Sequence, residues 1–89
     1  MEKGTVFLVG AGPGDPGLIT VKALRLVQEA DVIVYDRLVD RRILQRAGDR
    51  AELIDVGKAP GGRGHSQAAI GALLVHHARA RRCVVRLKG

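Results

Sequence analysis

Aromatic side chains are nearly missing from this sequence: its 89 residues hold no Trp, one Phe (Phe7) and one Tyr (Tyr35). Single-stranded nucleic acid is held by stacking bases on such rings, so no nucleic-acid partner is expected, even with a formal net charge of +6. Cysteine is equally scarce. One residue, Cys83, excludes an internal disulfide and fits a reducing, cytoplasmic setting. It reads as a small buried hydrophobe in a strand. No apolar run approaches the roughly 20 residues of a membrane span, so no membrane partner is expected. No signal peptide is visible, because Met1 to Gly4 leads straight into a short strand. His65, His76 and His77 lack clustered Cys or acidic companions, so no metal is expected. The length suits one small domain and is short for an enzyme with a cleft.

Glycine and arginine are what the chain has in quantity. Arg outnumbers Lys, and its members fall on predicted helix faces and ends, as at Arg41-Arg42, Arg46, Arg50 and Arg79-Arg81-Arg82. This reads as a solvated surface, and the same charge suits a polycarboxylate substrate.

Hydrophobic periodicity gives β-α-β-α-β-α-β, hence an α/β fold with a mainly parallel sheet and flanking helices. Strands are predicted at Thr5 to Val9, Val32 to Tyr35, Ala51 to Val56 and Val84 to Leu87. The third alternates only in part, which suits a sheet edge. A first helix, Leu18 to Ala30, puts Ile19, Ala23, Leu26, Val27 and Ala30 on one stripe, with Thr20 as a cap. Asp40 reads as the N-cap of a short helix from Arg41 to Ala47, and Ser66 as the N-cap of a third from Gln67 to Ala80. Gly57 to Gly64 is a glycine-rich loop of the kind that moves or lies against a ligand.

Chemistry concentrates where the first strand ends, in Val9-Gly10-Ala11-Gly12-Pro13-Gly14-Asp15-Pro16-Gly17. Open α/β sheets bind ligands at such carboxyl ends. Residues 12–17 match G-x-G-x-x-G, and Asp36 lies near the spacing of the acidic residue in a dinucleotide site. An NAD-binding module of an oxidoreductase is therefore one reading. Pro13 and Pro16 weigh against it, since they remove N–H groups that a pyrophosphate would use. A ligand with adenosine but no phosphate, such as S-adenosylmethionine, suits the stiff turn better.

Four blocks carry a further resemblance. They are Val9 to Thr20; Ala30-Asp31-Val32-Ile33-Val34-Tyr35-Asp36-Arg37-Leu38-Val39; Val56-Gly57-Lys58; and Val84-Val85-Arg86-Leu87-Lys88-Gly89. In this order and spacing, across all 89 residues, the chain resembles the tetrapyrrole methylase family. The second and third blocks point to the branch acting on uroporphyrinogen III rather than on later corrin intermediates. The resemblance implies S-adenosylmethionine-dependent methylation of C2 and C7, giving precorrin-2 for sirohaem and cobalamin. It also implies two α/β domains with the cofactor between them, and a homodimer in the full-length protein. Residues 1–89 would then be a truncated N-terminal domain, inactive alone and with exposed sheet edge that favours self-association.

By the same resemblance, Pro13 contacts the cofactor and Gly89 opens a second cofactor loop. Asp36 is the implied proton acceptor and Lys58 the implied proton donor. Arg37 and Arg63 are further candidates, as charge-assisted partners of substrate carboxylates. Without the resemblance, Asp36 could simply cap its turn or pair with Arg37 or Arg41. Lys58 could be a solvated charge, and Pro13 could only shape the turn.

Overall fold

A computed structural model describes residues 2–12, 16–57 and 65–89. Four parallel strands form one sheet: β1 (Val6–Gly10), β2 (Val32–Tyr35), β3 (Glu52–Asp55) and β4 (Val84–Lys88), in the order β1-β4-β2-β3. The last strand is therefore inserted between the first two. Phe7 pairs with Val85, which also pairs with Ile33, and Ile33 pairs with Leu53.

This order sends the helices to both faces. The chain moves one way across the sheet from β1 to β2 to β3, and the other way from β3 to β4. Crossovers of one hand must then lie on opposite sides. α1 (Val21–Glu29) and α2 (Arg41–Leu44) cover one face, where Ala23, Val27 and Ile43 meet Val9, Ile33, Val85 and Leu87. α3 (Gln67–Arg79) covers the other, where Ile70, Leu73, Leu74 and Ala78 meet Val32, Val34, Val56 and Val84. A strand covered on both sides cannot alternate apolar and polar residues. β4 accordingly is buried from Val84 to Leu87, Arg86 included. β3, at an edge, is mostly exposed, as its partial alternation predicted.

All three expected helix caps form. Thr20 Oγ1 accepts from Ala23 N at 3.0 Å, Asp40 Oδ1 from Arg42 N at 2.8 Å, and Ser66 Oγ from Ala69 N at 3.0 Å. Two helices are shorter than periodicity suggests. Residues Pro16–Leu18 form a separate 3₁₀ turn, and Thr20 starts the α-helix only at Val21. After Leu44 the chain tightens. Arg46 N bonds Ile43 O at 3.0 Å and Ala47 N bonds Leu44 O at 3.1 Å, so three-residue spacing replaces the α pattern.

The amino ends of the central strands are tied by Asp31. Its Oδ2 accepts from Cys83 N at 2.7 Å, while its own N–H bonds Cys83 O at 2.8 Å. Cys83 is buried just before β4, with Sγ donating to Glu2 O at 3.3 Å. No helix among the described residues is long and apolar enough to cross a membrane.

Candidate active site

The carboxyl ends of β4, β2 and β3 meet around Asp36. Val32 to Tyr35 is a run of β-branched and aromatic residues, which holds β2 inside the sheet up to this point. Beyond it the chain turns. Asp36 Oδ1 accepts from Leu38 N at 2.9 Å, and Val39 N bonds Asp36 O at 3.2 Å. This is the local turn that Asp side chains favour. Val39 is buried beneath it and anchors the far side.

Two glycines clamp this turn from the neighbouring strands. Gly57 follows β3, and a Cβ there would lie 2.6 Å from Arg37 N and 3.3 Å from Asp36 Cα. Gly89 follows β4, and a Cβ there would lie 2.5 Å from Leu38 Cβ and 2.8 Å from its carbonyl carbon. Neither position has room for a side chain. Gly89 N also donates to Asp36 Oδ2, at a long 3.4 Å.

A cation lies beneath the carboxylate. Arg86 Nη2 is 3.8 Å from Asp36 Oδ2, with the Arg86 side chain 8% exposed and that of Asp36 20%. Arg86 Nη1 donates to Leu87 O at 2.9 Å and Val34 O at 3.4 Å. Asp36 thus caps its own turn, as one sequence reading allowed. Its ion partner, however, is Arg86 rather than Arg37 or Arg41. Sequence reading did not single out Arg86, although a charge in the middle of an apolar strand is itself a signal.

Arg37 is exposed and lines a groove of about 470 Å³ with Tyr35, Arg41, Leu53 and Asp55, between α2 and the β3 edge. Pro13, Lys58 and Arg63 lie outside the described residues. Gly57, the residue before Lys58, is the one pressed against Asp36 and Arg37.

Behind the glycine turn, the described residues do not open an α-helix directly, as a dinucleotide site does. Gly12 takes φ +82°, but the α-helix begins later, at Val21, after the 3₁₀ turn Pro16–Leu18, and Thr20 Oγ1 already takes up one of its free N–H groups, that of Ala23. A pyrophosphate uses such N–H groups directly behind the glycines. The described strand ends present backbone at Gly10 to Gly12 and the carboxylates of Asp36 and Asp55. Ala11 N bonds Lys88 O at 2.7 Å, so the ends of β1 and β4 lie side by side, and a Cβ at Gly10 or Gly12 would meet nothing within 4 Å.

Comparison with known families decides between the readings. Residues 5–89 match the Tetrapyrrole (Corrin/Porphyrin) Methylases. The chain belongs to that family. Among tetrapyrrole methylases, it is 56% identical over 87 residues to a siroheme synthase of Acinetobacter baylyi, covering 98% of this chain and 19% of that protein. It is 52% identical over 86 residues to a uroporphyrinogen-III C-methyltransferase of Bacillus subtilis, covering 97% of this chain and 34% of the relative. A crystal structure of a Thermus thermophilus uroporphyrin-III C-methyltransferase complexed with S-adenyl homocysteine superposes with a TM-score of 0.73 at 52% identity, covering 94% of this chain and 32% of that one. The chain thus spans between a fifth and about a third of the length of these relatives.

Proposed function

We propose that these 89 residues are the N-terminal α/β domain of a uroporphyrinogen-III C-methyltransferase. The reaction methylates C2 and C7 of uroporphyrinogen III to give precorrin-2, on the route to sirohaem and cobalamin. The observation that carries the reading is the Asp36 carboxylate, clamped at the end of β2 between Gly57 and Gly89. Identity to a uroporphyrinogen-III C-methyltransferase supports the substrate.

S-adenosylmethionine, when bound, supplies a methyl group on a positively charged sulfur. Pro13 and Gly89 would hold it. An electron-rich pyrrole carbon forms the new C–C bond as the S–CH₃ bond breaks, and its electron pair stays on sulfur. The ring then carries positive charge until a proton leaves. Asp36 Oδ2 accepts that proton, because its contacts with Gly89 N (3.4 Å) and Arg86 Nη2 (3.8 Å) are longer than the 2.9 Å bond from Leu38 N to Oδ1. Lys58 returns a proton where the macrocycle needs one. Arg37 and Arg63 hold ring carboxylates by charge-assisted hydrogen bonds.

Calorimetric titration of the full-length protein carrying these residues tests the reading. It is expected to bind S-adenosylhomocysteine and to ignore NAD. Binding of NAD without S-adenosylhomocysteine would revive the dinucleotide reading and overturn this one.

A further inference from the structure

Two polar side chains are buried among the described residues, His77 and Arg86. His77 has a structural explanation. Its Nδ1 accepts from Arg82 Nη1 at 3.1 Å, and its Nε2 lies 3.8 Å from Glu52 Oε2, so it ties α3 to the amino ends of the strands. Arg86 also bonds main chain, through Nη1 to Leu87 O and Val34 O, but that leaves its Nη2 facing the Asp36 carboxylate. Arg86 sits in the central strand, flanked in register by Leu8 on β1 and Val34 on β2. An apolar residue of similar volume would serve the sheet there as well or better, because burying a guanidinium is costly even when it is paired.

We propose that Arg86 is the positioning residue for Asp36, aiming Oδ2 at the substrate. The inference rests on the role given to Asp36 above. Its geometry has two parts. Bonds from Nη1 to Leu87 O and Val34 O fix the guanidinium between β4 and β2. Nη2 then faces Asp36 Oδ2 at 3.8 Å, while Oδ1 accepts from Leu38 N at 2.9 Å. The carboxylate is held at both oxygens, one by its own turn and one by the sheet. Arg86 itself is 6% exposed and acts through Asp36 rather than on substrate.

The test uses the full-length enzyme, with kcat expressed per site titrated by S-adenosylhomocysteine. Arg86→Met keeps the stem and removes the charge. It is expected to lower kcat by about 10- to 100-fold, the usual effect of a misplaced reacting group, with KM for uroporphyrinogen III unchanged. Arg86→Lys keeps the charge without the two-carbonyl anchor and recovers part of the loss. In an Asp36→Asn background, Arg86→Met has no further effect, since the two act as one unit. An unchanged kcat per site in Arg86→Met, or an equal extra loss in the Asp36→Asn background, overturns the proposal. So does failure of both single variants to fold, which would make Arg86 purely structural. Wild-type enzyme that binds S-adenosylhomocysteine but leaves uroporphyrinogen III unmethylated would instead overturn the substrate assignment, and this inference with it.

Discussion

Asp36 has two oxygens with separate duties, and the glycines beside it have a testable cost. Oδ1 closes a turn with Leu38, while Oδ2 faces Gly89 N and Arg86. Gly57→Ala or Gly89→Ala would drive a methyl group into backbone at 2.6 Å or into Leu38 at 2.5 Å. Each is expected to destabilise the fold by about 1–3 kcal/mol, as overpacking commonly does, read as a lower urea midpoint. Gly10→Ala is the control, because its Cβ meets nothing within 4 Å. A midpoint for the Gly57 variant equal to that of the Gly10 variant would contradict the clamp. Cys83 offers a second residue-scale check. Burial first, and then the Asp31 carboxylate, push its thiol above the ordinary value, so the reactive thiolate forms only at higher pH. Iodoacetamide at mildly alkaline pH should label native Cys83 far more slowly than the urea-unfolded chain. Equal rates would show that the thiol is not protected. Asp36 was legible in the sequence as a carboxylate at a strand end. Its partners were not, because Gly89 and Arg86 come from a strand that pairs with β2 only in the folded sheet.

At the scale of single elements, local chemistry was the most readable. Thr20, Asp40 and Ser66 each satisfy an N–H two or three residues away, so nothing distant is needed to place them. Thr20→Ala and Ser66→Ala should each cost about 1 kcal/mol, the common size of an N-cap, measured by denaturant unfolding. No change in either would mean that tertiary packing alone sets those helix starts. Helix lengths were less readable. The stripe from Ile19 to Ala30 is real, yet Ile19 packs on the core from outside the helix. An apolar stripe reports which residues face the core, not whether each has helical geometry. The short α2 makes the same point, since Ala47 packs on the core after the α pattern has ended.

At the scale of the whole molecule, strand order is the feature that periodicity could not supply. Four apolar runs allow several parallel sheets, and only non-local pairing puts β4 between β1 and β2. That insertion brings Gly89 and Arg86 to Asp36, so the candidate site exists only in this topology. The account also predicts that residues 1–89 alone transfer no methyl group, since under the proposed function a second domain supplies the other side of the site. Methylated product from the 89-residue chain would contradict that division. The most direct measurement is turnover of uroporphyrinogen III by the full-length enzyme with S-adenosylmethionine, wild type against Asp36→Asn, following the mass of the tetrapyrrole product. Wild type should give a doubly methylated product, and Asp36→Asn should lose about 10²-fold or more in kcat while still binding S-adenosylhomocysteine, as loss of a proton-transfer group does. An Asp36→Asn enzyme as fast as wild type, or a wild type that leaves uroporphyrinogen III untouched, would contradict the account.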